Sequence, residues 1–188
     1  MARPREFDVD TALDAAIAVF RDHGYEGSSA QMLVDAMGIG RQSLYNVFGD
    51  KWGIYTAALR RYALLEGKAH REALASGPRA IDGLRAMLDR VLADATCGCM
   101  GIGAIVEFAE TRPDLVEIRK VAGAALQKAL AETIARAQSE GDVDASLDPE
   151  ELATFVIATV SGIRIAARGG ASASHLHALV QLALRALR

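Results

Sequence analysis

Aromatic residues are scarce in this chain: one Trp, four Tyr and five Phe among 188 residues. Only four prolines interrupt it. Ala, Leu and Val dominate, which favours helices over strands. Two cysteines are too few for a disulfide framework in a chain of this length. No run of about 18 apolar residues occurs, so no membrane span is expected. The opening stretch MARPREFDVD lacks an apolar signal core, which argues against secretion and for a cytoplasmic protein. No strong charge of either sign is present; the net charge is −3. A strongly basic chain would point to nucleic acid, and this one does not. Residues 1–62 hold seven Lys/Arg against eight Asp/Glu. If they bind DNA, their positive charge must be gathered on one face.

What the chain does have is helical periodicity. Leu13, Ala16, Ile17 and Phe20 recur at helical spacing over about 9–23, and Gly24 is placed to end that helix. SSAQMLVDAMG predicts a short second helix capped by Ser28 or Ser29 and closed by Gly38. A third covers about 41–48, and Asp50 caps a long fourth helix over about 51–75. Further helices are expected over about 79–95, up to about Thr111, from Pro113 to near Gly141, over about 149–168 and over about 173–187. Asp148, Pro149 and Glu151 form an acidic capping box at the start of the eighth. The expected fold is all-α, with about nine helices, no strand and no internal repeat.

The short third helix is polar. GIGRQSLYNVFGDKWG presents Arg41, Gln42, Ser43, Tyr45 and Asn46, with only Leu44, Val47 and Phe48 as packing residues. Two short helices joined by Gly38-Ile39-Gly40 make a helix-turn-helix. The second helix of such a unit enters the major groove. Arg reads guanine there, and Gln or Asn reads adenine. Hydroxyls, tyrosine and helix N-termini hold phosphates.

The segment ALDAAIAVFRDHGYEGSSAQMLVDAMGIGRQSLYNVFGDKWGIYTAAL resembles the DNA-binding domain of TetR-family transcriptional regulators. The resemblance rests on Phe20, Gly24-Tyr25, Ser28-Ser29, Gly38-Ile39, Leu44-Tyr45, Phe48 and Lys51 in order and spacing. It implies that Ser29, Tyr45 and Lys51 hold phosphates. Arg41, Gln42 and Ser43 then face bases, Gln31 reaches in from the second helix, and Asn46 serves either role. Leu44 and Phe48 are core. Gly40 departs from the family's usual Ser and weakens the cap of the third helix by a few tenths of a kcal/mol, roughly. Gln42 replaces a commonly small residue, so the operator preference is not transferable. Met32 and Met37 also depart, which suggests altered packing.

These features divide the chain into a DNA-binding domain (1–50) and a helical ligand-binding and dimerisation domain (51–188), bridged by the helix near 51–75. The last two helices, LATFVIATVSGIRIAA and LHALVQLALRAL, are apolar on too many sides for a monomer's surface. They are expected to pair with their copies in a homodimer, through Val156, Val160, Gly162, Ile163, Leu179 and Leu182. Such a dimer reads an inverted-repeat operator. In the family the larger domain holds a small-molecule pocket, whose candidate lining here is Met87, Val91, Met100, Ile105, Phe108, Leu126, Phe155 and Thr159. No buried charge cluster marks a ligand, so an apolar or amphipathic effector is expected. The implied function is a repressor released by a small molecule.

Two alternatives follow from particular residues. A turn with a cysteine before a Glu-bearing helix recurs in a subset of these regulators, some of which sense electrophiles or oxidants. Here that cysteine is Cys99, beside Cys97, and a helix N-terminus stabilises a thiolate. The near-neutral charge of residues 1–62 and Gly40 motivate the second alternative, a helical ligand-binding or interaction protein with a decayed DNA module. No metal or cofactor is expected: the two cysteines form no ligand pattern with His70, His175 or His177, and the last two read as surface. No phosphate loop, zinc-protease or serine-nucleophile motif appears, and Glu107 with Glu110 is a weak acid–base pair, so the chain is not expected to be an enzyme.

Overall fold

The computed structural model describes residues 7–188, within which there are nine helices and no strand. The residues used to argue against a leader, and the charges of Arg3, Arg5 and Glu6, fall partly or wholly outside that range. The helices are α1 (Val9–His23), α2 (Ala30–Met37), α3 (Arg41–Phe48), α4 (Lys51–Leu74), α5 (Ala80–Ala93), α6 (Met100–Phe108), α7 (Pro113–Ser139), α8 (Pro149–Arg168) and α9 (Ala173–Ala186).

Side chains that suit helix ends set the boundaries. Asp8 accepts the Thr11 N–H at 2.7 Å to start α1. Ser29, rather than Ser28, accepts the Met32 N–H at 3.1 Å to start α2. Asp50 accepts the Gly53 N–H at 2.7 Å at the head of α4. Asp148 accepts the Glu150 and Glu151 N–H groups at 2.9 and 3.0 Å, so the Asp148 half of the expected capping box forms. Helix α6 stops short of Thr111. Ala109 turns to φ 45, and the Thr111 hydroxyl bonds back to the Phe108 carbonyl at 2.6 Å.

Two compact units make up the chain. One holds the residues up to Leu65 together with Cys99–Arg119; the other holds Glu66–Gly98 and Lys120–Arg188. The units interleave in sequence, so a linear division at residue 50 follows the helix-turn-helix rather than the packing. The reason lies in α6 and the start of α7: Met100, Ala104 and Leu115 are buried with α1–α4 residues such as Phe20, Leu33, Leu44 and Ile54. The second core is built from Leu84, Met87, Leu88, Leu130, Ile134 and Ile163. Each fully buried aliphatic side chain contributes about 1.5–3 kcal/mol relative to exposure.

In the second unit α5, α8 and α9 pack on one another. Val156, Val160 and Ile163, expected at an interface between copies, lie in the protomer's own core instead. They form the inward stripe of α8. The stripe at Phe155, Ala158, Gly162 and Ile165 points outward, as do Leu179 and Leu182 on α9. Leu182 is 57% and Ile165 58% exposed.

Candidate nucleic-acid interface

The α2–α3 turn is fixed from both sides. Gly38 adopts φ 65, ψ 27, a left-handed conformation that glycine takes without a Cβ penalty. Ile39 is buried beside it, and Leu33 and Leu44 lie wholly inside the core. The inward face of α3 is therefore anchored by Leu44, which leaves the rest of that short helix to the outside. Arg41, Gln42 and Asn46 are exposed; Ser43 and Tyr45 are half-buried. Val47 is exposed rather than packed, and Phe48 is half-buried against the core.

These side chains are poised rather than spent. Gln42 donates to the Asn46 side-chain oxygen at 3.2 Å across one helical turn. The Arg41 guanidinium lies 6.0 Å from the Tyr45 ring, and Lys51 Nζ lies 4.3 Å from the Tyr25 ring. Among the described residues no carboxylate pairs with Arg41 or Lys51. Arg61 differs: it is bound to Asp14 at 2.6 Å and to Asp10 at 2.9 Å. Pairing of this kind removes acid from the field without touching α3, which is how a segment of near-zero net charge leaves Arg41 on α3 and Lys51 at the head of α4 without a paired carboxylate. Gly40 gives α3 no side-chain cap, so the first N–H groups of the helix stay available to an anion. Ser29 is exposed at its cap position, and Gln31 donates to Asp35 at 2.8 Å.

The scarce aromatics are concentrated behind this surface. Phe20, Tyr25, Trp52, Tyr55 and Phe108 form one ring cluster, stacked for Phe20–Tyr25 and otherwise edge-on or tilted, with centroids 4.9 Å apart for Phe20–Tyr55 and 5.3 Å for Trp52–Phe108. Trp52 Nε1 donates to Asp114 at 2.9 Å, and Arg112 lies 4.4 Å from the Trp52 ring. Burial raises the Tyr25 phenol above its ordinary range. Sequence reasoning weighed Glu107 only as an acid–base residue. The structure uses it to receive the Tyr25 and Glu26 N–H groups of the α1–α2 turn. The family pattern places a Glu on this helix, but nothing in it shows the turn it binds, 81 residues away in sequence.

The candidate pocket residues divide between the two units. Met87 and Val91 are fully buried in the second core and Leu126 packs against it. Phe155 is 41% exposed, and the half-buried Thr159 donates to its carbonyl at 2.9 Å. Met100 is buried in the first core, Phe108 belongs to the aromatic group, and Ile105 is exposed. Cys97 is exposed and Cys99 half-buried at the residue preceding α6. No group of three or more possible metal ligands occurs among the described residues. A charge cluster that the sequence did not single out lies in the second unit, where Glu66, His70, Arg90 and Arg164 come together. Glu66 and His70 are one turn apart and legible as a pair; the arginines arrive from α5 and α8.

The buried turn and the polar outer face of α3 define a helix-turn-helix protein of the DNA-binding class. Two family models match the chain: bacterial regulatory proteins of the tetR family over residues 12–58, and the tetracyclin repressor-like C-terminal domain over residues 78–183. The chain belongs to the TetR family of transcriptional regulators. It is 31% identical to the HTH-type transcriptional repressor ComR of Escherichia coli, over 99% of this chain and 90% of that protein. It is 34% identical to the HTH-type regulator YezE of Bacillus subtilis, over 77% of each. Among solved structures, a cysteine mutant of the TetR-family regulator CifR, complexed with 26-bp double-strand operator DNA, superposes with a TM-score of 0.83. That chain is 34% identical to this one, and the match covers 99% of this chain and 100% of that one.

Proposed function

We propose that the chain is a cytoplasmic repressor that binds an inverted-repeat operator as a homodimer and is released by a small molecule. The observation that carries this is the construction of α3: Leu44 and the preceding Ile39 hold it, while Arg41, Gln42 and Asn46 stand exposed and unpaired with acid. Arg41, Gln42 and Ser43 meet base edges, with Gln31 from α2; Ser29, Tyr45 and Lys51 hold phosphates, and Asn46 serves either. One copy offers too few such contacts for a selective site, so two copies related by a dyad read two half-sites about one helical turn or slightly more apart. The outward apolar stripe of Phe155, Ala158, Gly162 and Ile165, with Leu179 and Leu182, supplies the surface between copies. The relatives named as repressors, and the CifR complex with operator DNA, support the same assignment.

Selection of bound sequences from random duplex DNA tests this. An enriched inverted repeat is expected, bound with steep salt dependence. A folded dimer that enriches nothing would favour the helical binding protein with a decayed DNA module. A thiol switch is the second reading, because half-buried Cys99 opens α6 and α6 carries Glu107, which holds the α1–α2 turn. Electrophile-induced release that is reversed by thiol reductant would support it; a Cys99→Ser variant that still responds would exclude it.

A further inference from the structure

Lys51, which the proposed function assigns to a phosphate, opens α4 beside the chain's one tryptophan, Trp52. That first turn is pinned on two sides. A Cβ on Gly53 would run into the Phe48 carbonyl, so α4 starts in close contact with the end of α3. Trp52 ties the same turn to a residue 62 positions later: its Nε1–H donates to Asp114 Oδ2 at 2.9 Å, in a part-buried setting. Asp114 lies in the first turn of α7, where an acid complements the helix N-terminus, and its Oδ1 accepts the Leu115 N–H at 3.0 Å. That ordinary role uses one oxygen. The other is given to an indole from α4.

The lysine rests on the same group of side chains. Lys51 Nζ lies 4.3 Å from the centre of the Tyr25 ring. Tyr25 meets Trp52 edge-on, with centroids 5.3 Å apart, and its backbone N–H is held by Glu107 on α6. Phe108 meets Trp52 edge-on at 5.3 Å, and the Arg112 guanidinium lies 4.4 Å from the Trp52 ring. The indole has one polar atom, so its bond to Asp114 selects one orientation among those that ring packing allows. A lysine ammonium is a point charge on a flexible stem, with no fork to orient it, so its placement has to come from what supports it.

We infer that Asp114 is a positioning residue for operator binding. Asp114 orients Trp52, Trp52 and Tyr25 confine the Lys51 ammonium, and Lys51 meets its phosphate as a pre-placed charge. The inference rests on the phosphate role proposed for Lys51. All these residues belong to the first compact unit, yet α7 continues into the second, so a helix shared by the two units bears on an operator contact. The sign of the effect separates positioning from bulk charge. A carboxylate opposes an anionic duplex, so charge alone predicts tighter binding once Asp114 is removed. Positioning predicts weaker binding.

The test is operator binding by the full-length protein over a salt series, on the sequence selected from random duplex DNA. The variants are Lys51→Ala, Asp114→Ala, the two combined, and Asp114→Asn. Lys51→Ala should lower the log–log salt slope by roughly two, one phosphate contact from each copy of the proposed dimer. Asp114→Ala should weaken binding about threefold or more and lower the slope in the same direction. On the Lys51→Ala background it should cost nothing further. Asp114→Asn retains an oxygen that accepts the indole N–H and should keep most of the affinity. A role in stability alone would leave the slope in place and add to the Lys51→Ala loss. Unchanged or tighter binding by folded Asp114→Ala, an unchanged slope, or additive losses would therefore overturn the inference. Should Asp114→Ala fail to fold, Trp52→Phe decides, because it keeps a ring and removes the N–H. Lower affinity with a lower slope supports the inference, and wild-type values overturn it. A wild-type slope for Lys51→Ala would remove Lys51 from the phosphate and overturn the inference with it, while DNA binding stands. Failure of the wild-type protein to bind any duplex would overturn the proposed function and the inference together.

Discussion

The carboxylate of Glu107 on α6 receives the backbone N–H of Tyr25 with both oxygens, each at 3.0 Å, and that of Glu26 at 3.2 Å. The α1–α2 turn, which precedes the recognition elements, is thereby tied to a helix from a distant part of the chain. Arg119 fixes the other end of α6 by donating to the Ala104 and Ala109 carbonyls at 3.1 and 2.6 Å. Close approach is possible because residue 24 is glycine: a Cβ there would run into Glu107 Oε1.

Gly24 and Gly38 both have positive φ, but they should respond differently to substitution. Gly24 sits at φ 69, ψ −176, a region essentially restricted to glycine, and has no room for a side chain. Gly38 sits in the left-handed helical region with open space around it. Gly24→Asn should cost about 1–3 kcal/mol and Gly38→Asn only a few tenths, roughly. Urea unfolding checks the pair; equal costs would refute the Glu107 packing argument.

Glu107→Ala removes the acceptor of these N–H groups. They remain near water, so the expected loss is modest, about 1 kcal/mol. Urea denaturation measures it. Operator affinity should fall further than the stability loss implies, because the turn leading into α2 loosens. Unchanged affinity would contradict that link.

Much of this arrangement was legible beforehand, and the exceptions share a cause. Caps and glycine stops are local chemistry, so Ser29, Asp50, Asp148 and Gly38 marked their helix ends correctly. The polar face of α3 was visible because Arg41, Gln42 and Asn46 lie within one short helix. What escaped depends on pairs far apart in the chain: Glu107 with Tyr25, and Glu66 with Arg90 and Arg164. For α8 the apolar excess was visible, but not its division. Composition does not say whether Val160 or Phe155 faces inward, since both stripes are apolar.

That division separates two kinds of variant. Leu182→Glu places a charge on the outer stripe and should yield monomers in sedimentation with little loss of protomer stability, and weaker operator binding with them. Val160→Ala should leave a dimer but destabilise the protomer by roughly 1–2 kcal/mol, through lost burial and a small cavity. A dimeric Leu182→Glu protein would remove α8 and α9 as the surface between copies.

Stability should depend on pH through His70. Its folded value of about 4 lies below the ordinary 6.5, because burial disfavours the charged ring, with Glu66 opposing and Arg90 and Arg164 reinforcing. The unfolded chain therefore takes up the proton first as pH falls. The contribution is fully present above 6.5 and is lost as pH falls from there through about 4. His70→Asn should flatten thermal stability over that window. An unchanged slope would show that other groups set it. Asp14, held below its ordinary value by Arg61, acts further to acid: its contribution is present above 3.8 and lost below.

The central claim is that α3 reads DNA through its exposed polar face, and Arg41 tests it most directly. Once an operator has been selected, Arg41→Ala should bind it more weakly by about 1–3 kcal/mol and discriminate less among bases at one position of each half-site. Fluorescence anisotropy at two salt concentrations, on the operator and on its single-base variants, measures both effects. A folded, dimeric Arg41→Ala protein that binds and discriminates as the wild type does would contradict the account.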